Sequence, residues 1–536
     1  EERYKNLLEA PELEIVNYYD SYAFLSGAMK NDFITLIGSG LNYAAGYQTG
    51  SVVRASNGEF VFSVMSYDRK GNILSTRTKT LGGFSENFSN TYTFTDQIQS
   101  TTIDADVKCG EYFKAIHTNT YNPYNDKLSE GHVMITYGEE NADIVMKYSY
   151  DDLGRLKNVV RPIVGHVGVG KVSYQYDLHG WTTAIMTNSF QEQLHYADGN
   201  GTPCYNGNIS SVLWNNAGSS IKRGYTFSYD ELNRLNNAVY SETEAHAETL
   251  GHFNEQMRYD VDGNITSLKR FGLRQDGTYG LIDDLTMKYQ GVQLSWVRDM
   301  ATQVLRKGSF DFKGAEAHYQ YNGNGSLISD SGKGIALIEY DNYNLPRRIQ
   351  FTNGNVTEYV FTATGKKLRT TYYVAVPNID VAMGCVHELS KAEILRKDSI
   401  DYLLGGNLIL KNAKIDKYLF VGGYIQQDNV LFPSINQSHI GNSGMGGDRY
   451  IGWIGNENRL NGRRSPAFKV YFYNNDHLGN IREVVDEMGA VVQANDFYPL
   501  GTPFSDSISL RNINFQPYKY NAKELDRMHG LDWYDY

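Results

Sequence analysis

The chain has 536 residues, a formal charge of −11 and 41% hydrophobic residues, a length that usually divides into several domains. An acidic chain without a basic stripe excludes nucleic acid as a main partner, because phosphate binding needs clustered Lys and Arg. No run of 18 apolar residues is present to span a membrane. Three cysteines (Cys109, Cys204, Cys385) lie too far apart for a zinc pattern or a disulfide framework and are expected to be small core residues. Tyr outnumbers Phe 42 to 23, Gly reaches 52 and Pro only 11, which suits many strands, many tight turns and unbroken backbone ladders.

Residues 1–60 are the least regular part: Glu1–Ala10 reads as a short helix, and Leu36–Gly46 is Gly-rich without a period. From residue 61 a phrase keeps returning. It reads YDRKGNI at Tyr67, YDDLGRL at Tyr150, YDLHGWT at Tyr176, YDELNRL at Tyr229 and YDVDGNI at Tyr259, with looser copies at Tyr321, Tyr340 and Phe361. Copies recur at intervals such as 150 to 176 and 340 to 361, and a period in the twenties means an array of one small unit. Tyr67, Tyr150, Tyr176, Tyr229 and Tyr259 each end a β-favouring run. Asp68, Asp151, Asp177, Asp230 and Asp260 can bond the backbone two residues on. Gly71, Gly154, Gly180, Asn233 and Gly263 accept positive φ. Strand, tight turn, strand makes each unit a β-hairpin. One hairpin cannot bury its own face, so the hairpins are expected to join edge to edge in one coiling antiparallel sheet, an all-β fold.

Further along, Glu242–Met257 has helical composition and reads as a decoration on a long connection. His387–Lys397 reads as a short helix capped by Ser390. Phe432–Pro466 is a Gly/Asn/Ser-rich stretch and reads as a surface loop. The sequence thus divides into an irregular segment 1–60, a repeat sheet 61–401 and a final segment 402–536.

No phrase carries a reaction. GHVGVGKV (Gly165–Val172) approximates a phosphate-binding loop, but Val172 stands where Mg²⁺ needs Ser or Thr, and a strand follows instead of a helix. Asp260–Asn264 starts like a calcium loop, yet the position for its bidentate Glu is Phe271. Cys385 and His387 are too close along the chain to form an oriented couple without a third group. His477 is expected to bond a turn carbonyl. The reading is therefore a non-enzyme without cofactor or metal.

The last segment carries YFYNNDHLGNIREVVDEMG (Tyr471–Gly489), NDFYPLGTPF (Asn495–Phe504) and YKYNAKELDRMHGLDWYDY (Tyr518–Tyr536). With the YD phrases, these resemble the RHS/YD-repeat superfamily and its repeat-associated core segment, in a Bacteroidetes-like idiom, over roughly residues 60–536. The core signature rests on Asp476, His477, Gly479, Tyr498, Gly501, Gly530 and Trp533. The resemblance implies a spiral shell, secreted or on the cell surface, that holds a C-terminal passenger of polymorphic-toxin type. It implies an aspartyl self-cleavage motif only beyond Tyr536. Such a placement brings in a secretion apparatus or a cell-surface glycan as further partners. An adhesion or carbohydrate-binding scaffold using Trp181, Trp214, Trp296, Trp453 and Trp533 is the alternative. If about 70% of the residues were strand at roughly 16 Å² each, the sheet would close a shell of about 22 Å radius with room for at most about 150 residues, and about half that with open ends. The aromatic-rich segment 471–536 is expected to close one end of the spiral and aim Tyr536 at the cavity.

Overall fold

The computed structural model describes residues 13–25, 33, 43–107, 112–138, 140–162, 170–216, 219, 221–242, 251–301, 309–310, 312–427, 468–506, 508–509, 511 to 534. Strand accounts for 55% of the described residues and helix for 3%. Thirty-three strands form one antiparallel sheet, from Ile15–Tyr19 to Val491–Ala494, and each pairs with its neighbours in sequence. A two-stranded ribbon, Leu525–Asp526 with Trp533–Tyr534, follows.

The repeated phrase is a set of hydrogen bonds. In each copy the Tyr closes its hairpin opposite the residue six positions later: Tyr67 faces Ile73, Tyr150 faces Leu156, Tyr229 faces Leu235 and Tyr259 faces Ile265. One Asp151 carboxylate oxygen accepts the amides of Leu153 and Arg155, and Asp230 does the same for Leu232 and Arg234. The turn then needs a left-handed residue, supplied by Gly154 (φ +79°) or Asn233 (φ +62°). The Tyr hydroxyl reaches back to the preceding hairpin. Tyr150 donates to the Leu128 carbonyl at 3.0 Å, Tyr176 to Leu156 at 2.8 Å, Tyr229 to Ile209 at 2.8 Å and Tyr259 to Leu235 at 2.6 Å. Arg reaches forward: Arg155 donates to the Asp177 carbonyl and covers the Tyr176 ring, and Arg234 does so for Asp260 and Tyr259. Where Asn replaces Arg, as at Asn72 and Asn264, its amide bonds the Asp of its own turn.

Because consecutive strands run antiparallel, the YD turns all lie on one rim and the alternate turns on the other. The sheet coils until these two rims meet. Ser56, in the turn after the second strand, donates to Phe361, beside the turn after the twenty-fifth. Arg161, after the tenth strand, donates to the Tyr473 carbonyl at the end of the thirty-first. Roughly 20 strands therefore make one turn. At about 4.8 Å per strand the mid-sheet radius is about 15 Å, smaller than the closed-shell expectation because fewer residues are strand and the spiral stays open. One shared core joins Phe113, Ile135 and Ile144 of the first turn to Leu408, Tyr418 and Phe472 of the second.

Several expectations are corrected. Ile15–Tyr19 and Gln48–Arg54, placed in the irregular segment, are paired antiparallel strands. His387–Lys397 is not a helix. Ser390 caps no helix: its amide and hydroxyl both donate to the Glu393 carboxylate at 2.8 Å. The chain then enters the strand Ile394–Leu403, whose pairing on both sides outweighs a local helix signal. At Glu242–Met257, the ends lie in strands and residues 243–250 fall outside the described residues. Cys385 is exposed and Cys204 half-buried, so neither is a core residue. The readings at Glu1–Ala10 and Phe432–Pro466, and most of those at Leu36–Gly46 and Gly165–Val172, fall outside the described residues. No helix among the described residues is long and apolar enough to cross a membrane.

Candidate functional site: a clamp inside the coil

Residues 495–534 leave the sheet almost without regular structure, yet many of their side chains are buried. They touch strands from Ser211–Asn215 to Lys414–Phe420, more than half a turn of the coil, and so run along its enclosed face. Two apolar contacts anchor them. Tyr498 and Phe504 enter a cluster with Trp214, Tyr225, Tyr240 and Phe253, where the Phe253 and Phe504 rings stack at 4.0 Å. Leu531 fills the cluster of Ile335, Ile338, Ile349 and Phe351, with Trp533 against it.

Around these anchors lie buried charges, several of them paired across a long stretch of sequence. Asp496 accepts from Arg223 (2.5 Å), Arg482, the Trp214 indole (2.7 Å) and Asn216 (2.9 Å). Arg223 also holds Asp506 at 2.8 Å. Burial alone would raise Asp496, but the two guanidiniums outweigh it and hold the carboxyl below its ordinary range. Arg270 bonds Asp283 at 2.9 Å and the Thr502 hydroxyl at 2.7 Å. Beside it, fully buried Glu255 faces Arg270 and the Leu500 backbone, and burial pushes its carboxyl up to about 7. Asp526, under the Tyr372 hydroxyl, is raised by burial to about 6. Fully buried Lys519 donates to the Gln516 carbonyl at 2.7 Å, and burial together with nearby Lys417 lowers its pKa strongly.

The core-signature residues belong to this clamp. Asp476 builds the turn beneath Gly479 (φ +79°) by accepting the Leu478 and Asn480 amides. His477 does not bond a turn carbonyl. Its ring lies 3.1 Å from Glu192, whose carboxylate also accepts the His477 amide, so the bond spans the seam between the two turns of the coil. Burial opposes the imidazolium, but Glu192 outweighs it and raises the His477 pKa. Tyr498 donates to the Phe271 carbonyl at 2.6 Å. Gly501 (φ +92°) sits under the Tyr520 ring, where a Cβ would come within 2.6 Å. Gly530 (φ +80°) offers its carbonyl to Lys313.

The charged residues Glu192, Arg223, Glu255, Arg482, Asp496 and Lys519 were not singled out by their sequence pattern. The one available signal is a charged residue inside an aromatic phrase, as in Asn-Asp496-Phe-Tyr. Near Cys385, His387 is oriented by Glu393 at 3.1 Å, a third group the sequence did not reveal. Trp214 is buried and half of Trp181 is covered by His179 and Tyr196, so neither offers the open ring face a sugar platform needs. Trp453 and Tyr536 lie outside the described residues.

No family model and no curated protein matches the sequence. Solved structures do match the fold. The crystal structure of TcdB2-TccC3-TEV aligns with a TM-score of 0.51 at 12% identity over 92% of this chain. TcdB2-TccC3-Cdc42 aligns at 0.50 and 10% over 90%, and TcdB2-TccC3 without its hypervariable C-terminal region at 0.50 and 10% over 91%. At these identities the likeness establishes the fold, a large coiling antiparallel sheet. The chain spans about a quarter of the length of each of these structures, 25%.

Proposed function

We propose that this chain is a non-enzymatic part of a YD-repeat shell that encloses or presents a passenger following its C-terminus, in a secreted or surface-bound bacterial protein. The observation carrying this reading is the path of residues 495–534. They run along the enclosed face of the coil and are held there by buried ion pairs, so a chain continuing from Trp533–Tyr534 starts from within the coil. The fold neighbours support it, since one is named as TcdB2-TccC3 without its hypervariable C-terminal region. Buried carboxylates such as Asp496 and Asp283 are occupied in pairs with arginine, which suits a structural role.

The coil sets the scale. Subtracting about 5 Å for inward side chains leaves an inner radius near 10 Å. A folded 100-residue domain has a radius of gyration of about 13 Å. This length of sheet alone therefore admits an extended or partly folded passenger, and a larger one needs more shell. The test is protease accessibility. A short segment carrying one protease site is attached after Tyr536 and, in a second protein, before Glu1. Cleavage at the C-terminal site is expected to be many times slower. Equal rates refute enclosure.

A further inference from the structure

One loop of the clamp joins the sheet beneath it to the last residues of the chain. Tyr498–Thr502 is a tight turn, in which the Tyr498 amide donates to the Thr502 carbonyl and the Gly501 amide to the Tyr498 carbonyl, both at 2.8 Å. From below, the Phe271 carbonyl accepts the Tyr498 hydroxyl and Arg270 donates to the Thr502 hydroxyl. From above, Tyr520 donates to the Pro499 carbonyl at 3.3 Å and its ring covers Gly501. Tyr534, from which the chain runs on toward Tyr536, donates to the Gly501 carbonyl at 3.1 Å. Glu255 lies fully buried under this loop. The Leu500 backbone approaches it, but neither carboxylate oxygen makes a hydrogen bond of full geometry. Its strand partners are Arg270 on one side and Ala238 on the other, and Arg270 already bonds Asp283 and Thr502. Asp283, Tyr225 and Tyr259 also face Glu255, and Tyr498 in the loop lies over Arg270; none of these four carries positive charge. A carboxyl so placed suits the closed loop while it keeps its proton and opposes it once ionised.

The geometry points to Tyr498–Thr502 as a proton-operated latch: with Glu255 protonated the loop lies shut and ties Tyr534 within the coil, and loss of that proton lifts the loop and frees Tyr520, Tyr534 and the chain that follows. This deepens the reading of an enclosed passenger and rests on it. In the closed loop burial holds the Glu255 carboxyl at about 7, against an ordinary 4.5. In the open loop the carboxylate meets water and returns to its ordinary range. The closed loop is therefore favoured in full below pH 4.5 and loses ground as pH rises toward 7. The ratio of open to closed loop grows about 70-fold between pH 5 and pH 8. Asp526, under the Tyr372 hydroxyl, adds a pH dependence of its own to the terminal ribbon, and it is the same with or without Glu255.

Hydrogen exchange read by mass spectrometry, corrected for the intrinsic pH dependence of amide exchange, tests the latch without any passenger. Protection within residues 495–506 should fall about 70-fold from pH 5 to pH 8 in the wild type. It should stay level in Glu255→Gln, whose side chain keeps the shape and gains no charge. The strand Tyr112–Tyr121, in the first turn of the coil, should keep its protection in both proteins, which shows that the variant is folded. Level protection of 495–506 in the wild type, or an equal fall in the variant, overturns the latch. The protease sites after Tyr536 and before Glu1 separate this from enclosure itself. Measured against the N-terminal site, the C-terminal site should be cut at one slow rate in both proteins at pH 5, and several-fold faster in the wild type than in the variant at pH 8. A C-terminal site that stays equally slow in both at pH 8 overturns the latch and leaves enclosure standing. Matching rates at the two ends already at pH 5 refute enclosure, and the latch's part in it falls with it.

Discussion

Replacing Glu255 with Gln should stabilise the protein at pH 8 and leave it almost unchanged at pH 4.5. Burial raises the Glu255 carboxyl from an ordinary 4.5 to about 7, although neighbouring Arg270 acts in the opposite direction. A carboxyl that holds its proton more tightly when folded has its full stabilising contribution below pH 4.5. That contribution is lost as pH rises toward 7, where the folded protein must ionise a buried group. A difference of about 2.5 pH units at 1.36 kcal/mol each amounts to about 3 kcal/mol. Gln keeps the shape and cannot ionise, so the variant should escape this loss. Asp526, raised by burial to about 6, and His477, raised by Glu192, shift stability in the same direction: the clamp is tighter in mild acid than at pH 8. Urea unfolding at pH 4.5, 6 and 8 provides the measurement. The wild type should lose stability between pH 4.5 and 8, and Glu255→Gln should lose about 3 kcal/mol less. Parallel pH curves for the two proteins would refute the assignment of a buried, ionising Glu255.

The remaining predictions concern the repeat and the clamp. Gly154→Asn should be nearly neutral, because Asn233 already holds the equivalent turn with positive φ, whereas Gly154→Val should cost about 1–3 kcal/mol through backbone strain; equal midpoints in denaturant melting would sink the repeat equivalence. Asp496→Ala strips the partner from buried Arg223 and Arg482 and should cost about 3–5 kcal/mol. Limited proteolysis should then cut first within residues 495–534, and unchanged cleavage there would argue against a clamp.

What could be read from the sequence follows how far apart bonded residues lie. The YD phrase writes its own turn within five residues: Asp230 takes the Leu232 and Arg234 amides, and Asn233 supplies the positive φ. The next bond, from Tyr259 to Leu235, still joins adjacent copies, so strand order and pairing follow from the repeat alone. The miss at His387–Lys397 sits one step beyond. Ser390 and Glu393 do form their local bonds, but strands on both sides decide what Ile394 does next. The clamp is further still. Asp496 meets Arg223 and His477 meets Glu192 across more than 270 residues, a separation printed nowhere in either phrase. Those meetings depend on how many strands complete a turn, and that number is set by twist accumulated a little at each strand pair. A repeat can specify each hairpin while leaving the pitch of the coil to the sum of many small angles. Charged residues that no sequence phrase singles out, Glu192 and Arg223 among them, become partners of the last segment only once that sum brings the second turn onto the first.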